Sequence, residues 1–155
     1  MADSPSTIPS ARRTAILGQG YVGLPLAVQA VRAGHHVIGF DPDAQRVKRL
    51  RAAESPTPDV PDDQLASALT SGAYTPTTRP DALAGCGIAV IAVPTPLRGG
   101  APDVSAIRCA ARTLAPHLRP GALVVLESTT YPGTTEEVTR PARTSAMAHA
   151  RNSGG

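Results

Sequence analysis

Residues 18–23 read Gly18-Gln19-Gly20-Tyr21-Val22-Gly23, and the next acidic side chain along the chain is Asp41, some twenty residues further on. Glycines at the first, third and sixth positions suit a backbone that bends sharply, lets a bulky anion come close, and starts a helix tight against a strand. Such a turn aims its amide N–H groups and the helix's positive end at whatever lies above them, and a diphosphate fits that field. A carboxylate at the Asp41 spacing accepts hydrogen bonds from an adenosine ribose and repels a 2′-phosphate. Together these residues could hold a dinucleotide, NAD in preference to NADP.

That chemistry requires a strand before the glycines, a helix after them and a second strand ending at the acid. The sequence provides each part. Thr14-Ala15-Ile16-Leu17 is a short apolar run, Leu24 to Ala33 reads as a helix ended by Gly34, and Val37-Ile38-Gly39-Phe40 reads as a strand. Pro25 falls in the helix's first turn, where a missing N–H does little harm. His35 and His36 read as solvated turn residues. Residues 43–53 form an amphipathic helix with Val47 and Leu50 on its inner face and Arg46 near the ribose end of the site.

Further on, Asp62 to Thr70 reads as a short helix capped by its aspartates, and Ala73 to Thr78 as a weak strand. Pro76 restricts that strand to a sheet edge. Pro80 to Ala84 makes a helical turn. Ile88 to Val93 is apolar throughout, as a central parallel strand covered on both faces should be. It stops at Pro94-Thr95-Pro96, at the carboxyl end where open α/β sheets bind ligands. Asp103 caps a helix to about His117, with Ile107, Ala110, Ala111 and Leu114 on one stripe, and Ala122 to Glu127 is a fifth strand. The fold expected is α/β, a Rossmann-type doubly wound parallel sheet with strands one to five present and strand six missing.

A length of 155 residues suits one core, burying roughly 68–70% of the unfolded chain's surface. With 41% hydrophobic and 17% charged residues the chain is too apolar for general disorder. Its net charge of +3 rests on scattered arginines and one lysine, Lys48, and its aromatics are only Tyr21, Phe40, Tyr74 and Tyr131. That distribution offers neither a basic patch nor a stacking platform for nucleic acid. No apolar run reaches the length of a membrane span, and Met1 to Arg13 lacks a signal-peptide core, so a cytoplasmic location is expected. Cys86 and Cys109 are read as buried small residues, not as a redox or zinc pair. Residues 1–13 are expected to be a disordered leader, 14–140 the nucleotide-binding domain and 141–155 a disordered or degenerate tail. The tail offers no sixth strand, so strand five is expected to lack an outer neighbour, and the chain is read as cut short.

Three motifs in order are similar to those of the UDP-glucose/GDP-mannose dehydrogenase family. They are Gly18 to Ala27, the loop Val93-Pro94-Thr95-Pro96-Leu97, and Glu127 to Thr135. The third most resembles the branch oxidising UDP-N-acetylglucosamine or UDP-N-acetylmannosamine. The resemblance implies that Gly18, Gln19, Gly20, Tyr21, Val22 and Gly23 hold the NAD pyrophosphate, with Asp41 and Arg46 at the adenosine ribose. It implies that Val93, Pro94, Thr95, Pro96 and Leu97 line the cofactor, that Ser128 touches it near the nicotinamide, and that Thr129 helps place water at the reacting centre. Thr129 also reads as a loop hydroxyl satisfying a helix N-terminus. The family oxidises a nucleotide-sugar C6 alcohol to a carboxylate with two NAD, through a cysteine nucleophile assisted by a glutamate and a lysine. Its members are expected to form homo-oligomers. Those three residues match no position here, which leaves turnover by this chain alone unexpected. Two alternatives remain at this point: a noncatalytic NAD-binding or interaction module, and a fragment of another Rossmann dehydrogenase sharing only the first motif.

Overall fold

The computed structural model describes residues 13–127. Within them the first strand, β1 (Arg13–Leu17), sends Ala15 and Leu17 into one buried apolar cluster and Ile16 into another. Side chains of a strand alternate between faces, so an apolar run without polar interruption can satisfy only a sheet covered on both sides.

The remaining elements supply those covers. α1 (Gly23–Arg32), β2 (His36–Phe40), α2 (Ala44–Arg51), α3 (Asp62–Thr70) and β3 (Tyr74–Thr77) follow in turn. A 3-10 turn at Pro80–Leu83 leads to β4 (Ile88–Ile91), a hairpin of β5 (Leu97–Arg98) and β6 (Ala101–Pro102), α4 (Ser105–Leu114), a second 3-10 turn at Ala115–His117, and β7 (Leu123–Leu126). Five strands form one parallel sheet in the order β3-β2-β1-β4-β7. Leu24, Ala27 and Val28 of α1 join Leu50 of α2 and Leu65 of α3 on one face, while Ile107, Ala110, Ala111 and Leu114 of α4 cover the other. This is the expected doubly wound sheet. Among the described residues it has five strands and no sixth, and β7 pairs only with β4.

Several local expectations hold for the reasons given. Val47 and Leu50 are buried and Asp43 caps α2, accepting from the amides of Gln45 and Arg46. Gly34, at φ 90°, closes α1 with the Gly34 amide donating to Val31 and the His35 amide to Ala30. Pro76 pairs with Gly39 on β3, the edge strand among the described residues, where none of them lies beyond it to require its missing N–H.

Others need correction. Arg13 is not in the leader but pairs with His36 as the first residue of β1. His36 accordingly belongs to β2, and the His35 ring lies 3.0 Å from the buried Thr14 hydroxyl instead of facing solvent freely. The N-cap of α3 is Pro61, because the Asp62 carboxylate turns back to accept from the Ser55 amide at 2.8 Å. The N-cap of α4 is Val104, one residue beyond Asp103, although Asp103 does accept from the Ser105 amide.

Cys109 also departs from expectation: it is exposed on α4, whereas Cys86 is buried. Burial pushes the Cys86 thiol up, against a smaller opposing effect of Arg13 beside it. Thiolate is the reactive form, so the two cysteines should differ sharply. Alkylation of the native chain is expected to modify Cys109 quickly and Cys86 only after denaturant is added. Peptide mass mapping showing both modified at similar native rates would contradict this placement.

Candidate functional site

The site forms where β1, β2 and β4 end together. Gly18 leaves β1 at φ 93°, and its amide donates to the Phe40 carbonyl at 2.8 Å, tying the bend to the end of β2. A Cβ on Gly18 would lie 2.7 Å from the Ala92 carbonyl oxygen and 3.2 Å from Val93 Cγ1, so the bend is also pressed against the end of β4. β1 and β4 are neighbours across which the chain reverses its direction of winding, the place where open α/β sheets leave a crevice.

The three motif glycines differ in what surrounds them. At Gly23 an added Cβ would stand 1.7 Å from the Gly18 carbonyl oxygen, so only glycine lets α1 begin so close to the bend. At Gly20 a Cβ would meet nothing of the described residues within 4 Å, which leaves open space among them over the turn. Tyr21 and Val22 are exposed beside it. Within the described residues no hydrogen bond engages the amides of Gly20, Tyr21 or Val22, although the carbonyls of Gly20 and Val22 accept from Leu24 and Leu26 in the first turn of α1. Unbonded amides at a helix N-terminus beneath open space are what an anion needs.

Asp41 lies just past the end of β2, 2% exposed, with its amide donating to the Thr77 carbonyl. Its Oδ2 accepts from the Gln19 amide at 2.9 Å and from Arg46 Nη1 at 3.0 Å; its Oδ1 accepts from the Asp43 amide at 2.9 Å. A carboxylate offers about four acceptor directions, so three protein donors leave room on Oδ1 for one more. A single ribose hydroxyl can therefore be accepted directly. A second needs Arg46, whose side chain is partly exposed, to yield its place on Oδ2. The Gln19 amide is already committed to Asp41, so the anion-facing set begins at Gly20.

Gln19 itself points inward. Its side chain is fully buried, with Nε2 donating to the carbonyls of Ile16 and Gly18 at 3.0 Å each and Oε1 accepting from the Tyr74 hydroxyl at 2.7 Å. Burial, reinforced by the charge of Asp41, raises the Tyr74 hydroxyl above the ordinary tyrosine range and keeps it a proton donor. Gly39 makes room for the pair, since a Cβ there would lie 2.6 Å from Gln19 Oε1. Neither Tyr74 nor Gly39 was singled out from sequence as part of the site. The available signal was a glycine inside a β-branched and aromatic strand, which marks a close approach.

Of the other sequence candidates, Val93 is half-buried against Gly18, Pro94 and Pro96 are exposed and Thr95 is partly buried. Leu97 is not a loop residue but opens β5, exposed on a hairpin whose two tip residues, Gly99 and Gly100, both have positive φ. Two such residues are what the tight turn favoured in hairpins demands. The Asp103 amide donates to the Pro96 carbonyl at 2.7 Å, and Arg98 Nε pairs with Asp103 Oδ2 at 2.7 Å. Ser128 and Thr129 lie outside the described residues. Among the described residues there is no group of three or more metal-ligating side chains, and no helix is long and apolar enough to cross a membrane.

A glycine bend at the β1 terminus, open amides at the start of α1 and an acid at the end of β2 define a Rossmann-type dinucleotide-binding domain. The residues present fit NAD. The sequence profile of the UDP-glucose/GDP-mannose dehydrogenase family, NAD binding domain, matches residues 12–153, and the chain belongs to that family. It is 39% identical over 130 residues to the UDP-N-acetyl-D-mannosamine dehydrogenase of Pyrococcus horikoshii, covering 83% of this chain and 31% of that protein. It is 36% identical over 138 residues to the UDP-N-acetyl-D-glucosamine 6-dehydrogenase of Salmonella typhi, covering 87% and 32%. Among solved structures, the Pyrococcus horikoshii enzyme superposes with a TM-score of 0.82 at 36% identity, over 87% of this chain and 32% of that one. A UDP-glucose dehydrogenase from Pyrobaculum islandicum gives 0.79 at 34% identity, over 92% and 34%. The chain thus spans about a third of the length of these relatives. It carries the family's NAD-binding domain.

Proposed function

We propose that this chain is the cofactor-holding part of a nucleotide-sugar 6-dehydrogenase. The diphosphate of NAD rests on the amides of Gly20, Tyr21 and Val22, beside the Gly18 and Gly23 that shape the turn. The adenosine ribose meets Asp41, with Arg46 alongside. Bound NAD supplies a hydride acceptor; the chain's own residues bind and orient it. Val93, Pro94, Thr95, Pro96 and Leu97 follow the cofactor toward the nicotinamide, with Ser128 near that end and Thr129 near the reacting centre. The nucleotide-binding unit is taken as residues 13–140, with Arg13 of β1 included. A nucleotide-sugar substrate, most like a UDP-N-acetylhexosamine, a cytoplasmic location and assembly into homo-oligomers belong to the same reading.

The observation that carries it is the 2.9 Å bond from the Gln19 amide to the buried Asp41 carboxylate, which holds the ribose acceptor and the diphosphate cradle next to one another. Isothermal titration of the chain with NAD and NADP tests it. NAD is expected to bind about tenfold or more tightly than NADP, because Asp41 repels the 2′-phosphate. NADP binding as tight as NAD would overturn the assignment of Asp41, and no binding of either would overturn the cradle.

A further inference from the structure

The inward side chain of Gln19 carries a consequence for binding. The peptide unit joining Gly18 to Gln19 is held at both of its polar ends: its carbonyl accepts from Gln19 Nε2 at 3.0 Å, and its N–H donates to Asp41 Oδ2 at 2.9 Å. A peptide plane pinned at both ends cannot rotate without breaking one of the two bonds. The orientation of the Gln19 amide group is in turn fixed from below, because both Nε2 hydrogens meet carbonyls and Oε1 meets the Tyr74 hydroxyl. Tyr74 belongs to the edge strand β3, and Gly39 of β2 leaves the space through which its ring reaches Gln19.

We propose that Tyr74 is a positioning residue for the dinucleotide site, acting through Gln19 to lock the 18–19 peptide and so fix the Asp41 carboxylate in its ribose-accepting pose. This role rests on the reading of the turn and Asp41 as an NAD cradle. Tyr74 touches neither diphosphate nor ribose in this arrangement. Its contribution is to remove a rotation that the bound state would otherwise have to freeze, and pre-organisation of that kind appears as affinity. A tyrosine hydroxyl is protonated at physiological pH in any case, and burial only extends that range upward, so the strut persists across physiological pH. Phenylalanine at this position would keep the ring and its packing while leaving Gln19 Oε1 buried without a donor.

The test compares the unsubstituted chain with Tyr74→Phe and with Gly39→Ala, whose Cβ would press on both the Gln19 terminus, at 2.6 Å from Oε1, and the Tyr74 ring, at 2.8 Å from Cε2. Titrations use NAD, NADP and ADP-ribose, and amide hydrogen exchange of Gln19 is followed by NMR without ligand. Tyr74→Phe is expected to weaken NAD and ADP-ribose about five- to twentyfold, to narrow the preference for NAD over NADP, and to speed Gln19 exchange about tenfold while the β1–β2 ladder amides keep theirs. Gly39→Ala is expected to do the same, and supplies the result should Tyr74→Phe lose its fold. Loss of affinity without faster Gln19 exchange, or faster exchange without loss of affinity, would overturn the proposal. If the unsubstituted chain binds NAD and the variants bind it equally well, this role fails alone; if the unsubstituted chain binds none, the cradle fails and takes the role with it.

Discussion

Gly20→Ala is expected to melt at the temperature of the unsubstituted chain and yet lose most of its affinity for NAD, whereas Gly23→Ala is expected to lose both. The difference follows from what each added methyl group meets. At Gly20 it meets no atom of the described residues within 4 Å, so their fold accommodates it, but it projects into the space over the turn. A cofactor diphosphate held by the neighbouring amides would have to retreat from its hydrogen bonds, and losing two charge-assisted bonds of roughly 1.5–3 kcal/mol each corresponds to about a hundredfold or more in affinity. At Gly23 the methyl group would overlap the Gly18 carbonyl at 1.7 Å. That atom is backbone, itself bound to Gln19 Nε2, and cannot turn aside. The start of α1 must therefore lift away from the bend, at a cost of about 1–3 kcal/mol in stability and with the anion-facing amides displaced. Differential scanning calorimetry together with titration separates the two cases. A Gly20→Ala chain that binds NAD normally would show that the cofactor does not approach this turn.

Asp41→Asn carries the second large effect. The carboxylate receives three donors from the chain, all of which an acid can satisfy at once. An asparagine presents one oxygen and one NH2 group, so either the Gln19 and Arg46 donors or the Asp43 amide must face another donor. The expected loss of stability is about 1–3 kcal/mol, the range for leaving a buried polar group unsatisfied. NAD affinity should fall about ten- to a hundredfold, because a charged acceptor for the ribose is gone, while NADP affinity should fall less or rise, because the repulsion is gone with Arg46 still present. The ratio of the two dissociation constants is the decisive measurement. If it stays unchanged while both affinities fall equally, Asp41 supports the fold without reading the ribose.

Much of this arrangement was legible in the residues. β1, β2 and β4 contain apolar stretches of the length a covered parallel strand requires, and Pro76 together with the strand order of a doubly wound sheet placed β3 at the edge. The spacing of Gly18, Gly20, Gly23 and Asp41 located the bend and the acid, because these positions are dictated by backbone geometry more than by their neighbours. What escaped was decided by tertiary contact. β5 and β6 have two residues each, too few to show alternation, and only Gly99-Gly100 hinted at their hairpin. Tyr74 sits in a weak strand with no periodic partner, so nothing local pointed it at Gln19, 55 positions away. Cys109 was legible but misjudged: the stripe of Ile107, Ala110, Ala111 and Leu114 already assigns α4's inner face, and position 109 falls off it. The N-caps of α3 and α4 missed by a residue because Asp62 had a competing acceptor role elsewhere and Asp103 serves the turn before its helix.

The buried glutamine also bears on how far this motif can be transplanted. A protein engineer who copied the hexapeptide 18–23 onto another sheet would leave behind Gly39 and Tyr74, which come from two other strands. The recipient would then have to bury an amide with nothing to receive it, or swap in a smaller residue and accept a looser bend. In this chain the portable unit is three strands wide.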